Sequence, residues 1–92
     1  MVKTRFRTIV SGGVQGVFYR AFCVDTAQAF NVSGYAKNLS DGTVEIVVEG
    51  EREECKGFLG ALKVRDGSID VQGMKTSEEE YTGRFNGFGI AY

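Results

Sequence analysis

Val10-Ser11-Gly12-Gly13-Val14-Gln15-Gly16-Val17-Phe18-Tyr19-Arg20 is the stretch in which the chain changes its hydrophobic period. Upstream, Thr4 to Ser11 alternates, with Phe6, Thr8 and Val10 on one face and Arg5, Arg7 and Ile9 on the other, the two-residue repeat of a strand. Downstream, Tyr19, Cys23, Ala27 and Phe30 recur at helical spacing as far as Asn31, which is expected to cap that helix in a left-handed conformation. Between the two, glycines let consecutive backbone N–H groups turn inward without a Cβ clash, and the helix start adds the positive end of its dipole. The expected product is an anion cradle that would fit phosphate. Arg20 closes it with a planar fork of donors that stays charged at any workable pH and grips two oxygens at once.

Past that helix, Val32 to Leu39 and Thr43 to Glu49 flank the turn signal Ser40-Asp41-Gly42 and read as a hairpin with Val44, Ile46 and Val48 facing inward. Glu51, Glu53 and Glu54 enrich the first turn of a second helix, whose Cys55, Phe58, Leu59 and Leu62 make an apolar stripe. It is expected to end near Arg65-Asp66-Gly67. Ser68 to Met74 and Phe85 to Tyr92 supply two more strands, the latter with Phe88, Ile90 and Tyr92 in phase, and Ser77-Glu78-Glu79-Glu80 between them reads as a solvated loop. The order is βαββαβ extended by a final strand, an α+β arrangement with two helices on one face of a mostly antiparallel, five-stranded sheet.

The chain has 92 residues, 42% of them hydrophobic, which predicts a single domain over 1–92 with room for one site. Eleven basic and twelve acidic residues give a net charge of −1, without the basic surplus that nucleic-acid or anionic-membrane binding leaves. With no long apolar run and a start that leads straight into a strand pattern, a cytoplasmic protein with no membrane partner is expected, and a monomer. Cys23 and Cys55 lie on apolar helix faces and read as reduced core thiols. There is no histidine and no cluster of cysteines, so the inventory excludes a zinc site and a His-based triad; no metal or other cofactor is expected. The absence of proline and the 13 glycines predict permissive loops and modest stability.

No Lys-Ser or Lys-Thr follows the glycines and the Gly-x-Gly-x-x-Gly spacing is missing, so mononucleotide binding is unsupported. Gly12-Gly13-Val14-Gln15-Gly16-Val17-Phe18-Tyr19-Arg20 instead resembles the signature of the acylphosphatase family. A second motif of that family, a glycine and aromatic ahead of Asn, then Asp-Gly and Val-Glu, is matched by Gly34-Tyr35-Ala36-Lys37-Asn38-Leu39-Ser40-Asp41-Gly42-Thr43-Val44-Glu45. Departures are Phe18 where a small residue is frequent, Tyr35 where Trp is frequent, and a second half without its usual proline. None removes a group with a proposed role.

The resemblance implies a ferredoxin-like fold and hydrolysis of small acyl phosphates to carboxylate and inorganic phosphate. Arg20 and the backbone amides of Gln15, Gly16, Val17, Phe18, Tyr19 and Arg20 would hold the phosphoryl group, with inorganic phosphate or sulfate as competing ligands. Asn38 would orient the attacking water. The residue inventory suits that reaction, because the leaving carboxylate has a conjugate acid of pKa about 4 and needs no general acid. A simple phosphate ester would expel an alkoxide and want an acid, a metal or a covalent nucleophile, none of which the sequence advertises. Two other classes stand beside this: a catalytically weak anion-binding regulatory domain, and a ferredoxin-like RNA-binding module, for which Arg84-Phe85-Asn86-Gly87-Phe88-Gly89 is only a loose echo of the required pattern.

Overall fold

The computed structural model describes residues 2–92. Its elements are β1 (Lys3–Gly13), α1 (Tyr19–Ala27), β2 (Val32–Asn38), β3 (Val44–Glu51), α2 (Arg52–Ala61), β4 (Arg65–Asp66), β5 (Ile69–Glu79) and β6 (Phe88–Ala91). They form one sheet in the order β4-β5-β1-β3-β2-β6, in which only β2 and β6 run parallel. This is the ferredoxin-like α+β fold, with six strands where five were expected. The extra one is two exposed residues, Arg65 and Asp66, that turn back on Asp70 and Ile69. So short a strand has no alternation to read, and it begins where the second helix was expected to end.

Period and burial agree along the central strands. Phe6 and Val10 of β1, Ala36 of β2, and Val44, Ile46 and Val48 of β3 share a core with Tyr19, Cys23 and Ala27 of α1 and with Cys55, Phe58 and Leu59 of α2. Both cysteines are free, and burial pushes the Cys23 thiol up to about 12 and the Cys55 thiol to about 11, which keeps them protonated and inert.

The opposite face is not bare. Arg7 ion-pairs with Glu45 at 2.6 Å, Tyr35 Oη donates to Glu45 at 2.8 Å, and the segment after β5 crosses the face and is fastened by Glu49. Glu49 is fully buried; it accepts from the Thr82 amide (2.9 Å), the Thr82 hydroxyl (2.7 Å) and the Gly83 amide (3.0 Å), with the Arg5 guanidinium 3.5 Å away. Phe85 belongs to this crossing, outside β6, edge-on to Tyr35 with ring centroids 5.8 Å apart.

Two further expectations are corrected. Ser77, Glu78 and Glu79 are not a solvated loop; they continue β5, opposite Arg7, Phe6 and Arg5 of β1. Their charges are paired: Glu79 takes bonds from Arg5 (3.0 Å) and Arg7 (3.2 Å), and Glu78 from Thr4 (2.7 Å) and Arg52 (3.2 Å). A run of acids reads as loop only while its cross-strand cations are out of sight. Asn31 is not left-handed either. The helix runs out through right-handed Gln28 and tight turns, and the one non-glycine residue with positive φ among the described residues is Phe18, at 62°. None of the helices among the described residues is long and apolar enough to cross a membrane.

Candidate active site

Strand direction assembles the site. β1 and β2 each pair antiparallel with β3 and therefore run the same way; β6 pairs parallel with β2. All three end at the edge where β3 begins, so Val10, Val44 and Asn38 share one cross-strand row, and Ala91 lies beside Lys37.

Near its end β1 carries a bulge between Ser11 and Gly12, where a Cβ on Gly12 would collide with the Asp70 carbonyl, and the loop leaves after Gly13. Gly16 then takes φ 73° and Phe18 takes φ 62°, turning the chain into the N-terminus of α1. Among the described residues, no protein acceptor takes the N–H groups of Gln15, Gly16, Val17 or Phe18, and the first amide returned to the helix is that of Phe22, bonded to the Phe18 carbonyl at 3.0 Å. Free amides ahead of a helix dipole make a concave donor surface for an anion.

The Gln15 side chain has a different task. Its Nε2 donates to the carbonyls of Leu39 (2.7 Å) and Thr43 (2.8 Å), tying the loop to the turn that follows Asn38. Tyr19 is likewise a framework residue by its side chain, 1% exposed, its hydroxyl donating to the Leu62 carbonyl at 2.9 Å. Its phenol is raised above its usual range by burial and then by neighbouring Cys23, so it stays protonated. Val17 packs its side chain against the core. Of Gln15, Val17 and Tyr19, then, only the backbone is free to serve an anion.

Arg20 and Asn38 line one cavity of about 370 Å³, together with Gly16, Phe18, Ala21 and Ile90. Arg5, Arg7, Arg52 and Arg65 are ion-paired, whereas no carboxylate of the described residues pairs with Arg20 or Arg84, and of these two Arg20 lines the cavity. Its guanidinium reaches the Ala91 carbonyl at 3.5 Å and lies 5.2 Å from the centroid of the Tyr92 ring. The Asn38 carboxamide makes no hydrogen bond to the described protein, and its Oδ1 is buried without a partner. Buried polar groups kept for folding are almost always satisfied. No carboxylate, thiol or imidazole lines the cavity, so the donors there suit an oxyanion and offer a metal ion nothing strong. A second hollow of about 370 Å³, beside Lys63, Arg65 and Met74, shares no lining residue with this one, and its Arg65 is engaged by Asp70 at 2.8 Å.

Ile90, Ala91 and Tyr92 are the site residues that sequence reasoning missed. Ile90 and Tyr92 were legible as strand positions; their nearness to Arg20 comes from the parallel pairing of β6 with β2, which no local pattern announces.

Comparison with known proteins agrees with this architecture. The family model described as acylphosphatase matches residues 6–90. The acylphosphatase of Geotalea uraniireducens is 40% identical over 91 residues, covering 99% of this chain and 100% of that one. The crystal structure of acylphosphatase from Bacillus subtilis superposes with a TM-score of 0.89 at 32% identity, covering 97% of this chain and 99% of that one. HypF from T. kodakarensis gives a TM-score of 0.83 at 30% identity, and the match takes in 97% of this chain but 12% of that much longer one.

Proposed function

This chain belongs to the acylphosphatase family and hydrolyses acyl phosphates, and from that premise we propose the division of labour among its residues. Arg20 and the free amides of the loop through Arg20 bind the phosphoryl group, gripping harder as negative charge redistributes over its oxygens in the transition state. Asn38 turns its uncommitted carboxamide to a water and holds it in line with the bond to be broken. The water oxygen attacks phosphorus, the bond from phosphorus to the acyl oxygen breaks, and the carboxylate leaves with the bonding electrons. The water's proton passes to a phosphate oxygen. With so good a leaving group no protein acid is required, and no metal ion enters the step. The balanced charge and the free buried thiols suit a monomer working in the cytoplasm, with residues 1–92 as one unit.

What carries this reading is the meeting, in one cavity, of an arginine without a counter-ion and an asparagine that the fold leaves unbonded. The test is phosphate release from benzoyl phosphate, with EDTA present, by the wild type and by Asn38→Ala. Turnover is expected to survive chelation and to fall by roughly 10²-fold or more in the variant, the cost of losing one oriented polar group, while inorganic phosphate still inhibits. Activity lost to EDTA and restored by a divalent ion overturns the metal-free step. Near-normal turnover of a folded Asn38→Ala returns Asn38 to a turn residue.

A further inference from the structure

Phe18 stands where a side chain is hardest to explain by folding. It is 86% exposed, it has no place in or against the core, and it holds φ 62°, a region that bulky residues avoid. The turn into α1 accounts for the backbone, and glycine would satisfy it at less cost. It does not account for a phenyl ring. Ile90, from the far end of the chain, is 37% exposed and lines the same cavity.

The cavity is larger than the reaction centre needs. A phosphoryl group, the bridging oxygen and one water take at most about 180 Å³ if each atom is given a water's share of roughly 30 Å³. That is half of the 370 Å³ present. Its lining mixes the polar Arg20, Asn38 and Gly16 backbone with the apolar Phe18, Ile90 and Val14.

We propose that Phe18 and Ile90 form an acyl-binding lip that makes the enzyme selective for acyl phosphates with an aromatic or branched apolar acyl group over acetyl phosphate. This rests on the hydrolase reading above and deepens it. Once the phosphoryl group is seated between the loop and Arg20, an acyl group of two carbons offers the lip little apolar surface. A phenyl or branched group reaches it and exchanges water for the Phe18 ring and the Ile90 side chain. The strained, exposed ring is then a specificity residue already in place before substrate arrives.

The experiment compares kcat/KM for benzoyl phosphate and acetyl phosphate in the wild type, Phe18→Ala, Phe18→Leu and Ile90→Ala. The ratio divides out any change in the phosphoryl grip common to both substrates. Wild type is expected to favour benzoyl phosphate, and each alanine variant to lose about three- to tenfold of that preference, the size of one aromatic or aliphatic contact at an open rim, mainly through KM. Leucine at 18 should keep part of it. Inhibition by phenylphosphonate relative to inorganic phosphate reads the same contact without turnover and is expected to fall in parallel. Ratios unchanged in both alanine variants overturn the lip and leave the hydrolase standing; a wild type that splits neither compound overturns the hydrolase reading itself.

Discussion

Removing the Glu49 carboxylate should cost more stability than any single change at the cavity. Glu49 is the fully buried clasp of the segment that crosses the sheet after β5, with three donors from Thr82 and Gly83 within 3.0 Å and Arg5 at 3.5 Å. Burial by itself pushes its carboxyl up; the Thr82 hydroxyl and amide, the Gly83 amide and Arg5 together outweigh that and hold it below its usual value of 4.5. Breaking a buried charge pair costs about 3–5 kcal/mol, but Thr82 and Gly83 are exposed and recover water once released, which places Glu49→Ala near about 3 kcal/mol. Against a total of about 5–14 kcal/mol for a chain of this length, that is a large share. At about 4–8 °C per kcal/mol, Tm should fall by about 12–24 °C. Glu49→Gln is no remedy, because half of its amide is a donor facing donors.

The pH dependence has a definite sign. A carboxyl whose folded pKa is depressed contributes stability that is full above its unfolded value and is lost as pH falls through the folded one. Wild-type stability should therefore decline below about pH 4.5, and the decline should be shallower in Glu49→Gln. Thermal and urea unfolding followed by circular dichroism between pH 3 and 7 measure both effects. A Tm loss under about 4 °C in Glu49→Ala, equivalent to less than about 1 kcal/mol, refutes the clasp.

Arg20→Ala should weaken inhibition by inorganic phosphate or sulfate and cut turnover together, since in the proposed mechanism the guanidinium holds the phosphoryl group in ground and transition states alike, and Arg20→Lys should rescue poorly because one ammonium cannot span two oxygens. Full rescue by lysine would reduce the residue to its charge; normal phosphate inhibition in the alanine variant would place the cradle elsewhere. Gln15→Ala should lose about 1–2 kcal/mol in urea unfolding, for its two bonds to Leu39 and Thr43, and about tenfold in kcat, because those bonds fix the loop against the strand that carries Asn38. Stability lost with kcat intact would show Gln15 to be a fold residue alone.

The groups proposed for chemistry were legible because each sits in a contiguous stretch whose local geometry it shares: glycines, then a helix start, then Arg20; a strand end, then a turn, after Asn38. The core was legible for the same kind of reason, since Val44, Ile46 and Val48, and Cys55, Phe58 and Leu59, announce their faces by spacing alone. What failed were residues whose state depends on a partner far along the chain. Glu78 and Glu79 are strand residues because Thr4, Arg5, Arg7 and Arg52 await them, 26 to 74 positions away. Gln15 was placed in the cradle by motif, but what its side chain does depends on carbonyls 24 and 28 residues downstream.

The one left-handed non-glycine among the described residues shows where such reasoning goes astray. Asn31 was the statistical choice, an asparagine at the end of a helical pattern, and a bulky aromatic at a helix start was not a candidate. Yet α1 needs no left-handed exit, because Gln28, Ala29 and Phe30 close it with turns to Asp25, Thr26 and Ala27. Its entrance does need one: the chain must reverse sharply enough to leave four amides unpaired and still deliver Arg20 to the first turn of the helix. Propensity describes what a residue prefers in isolation. At Phe18 the turn into α1 overrides that preference, and an aromatic ring is carried to the mouth of the cavity, where, on the proposal above, an acyl group would meet it.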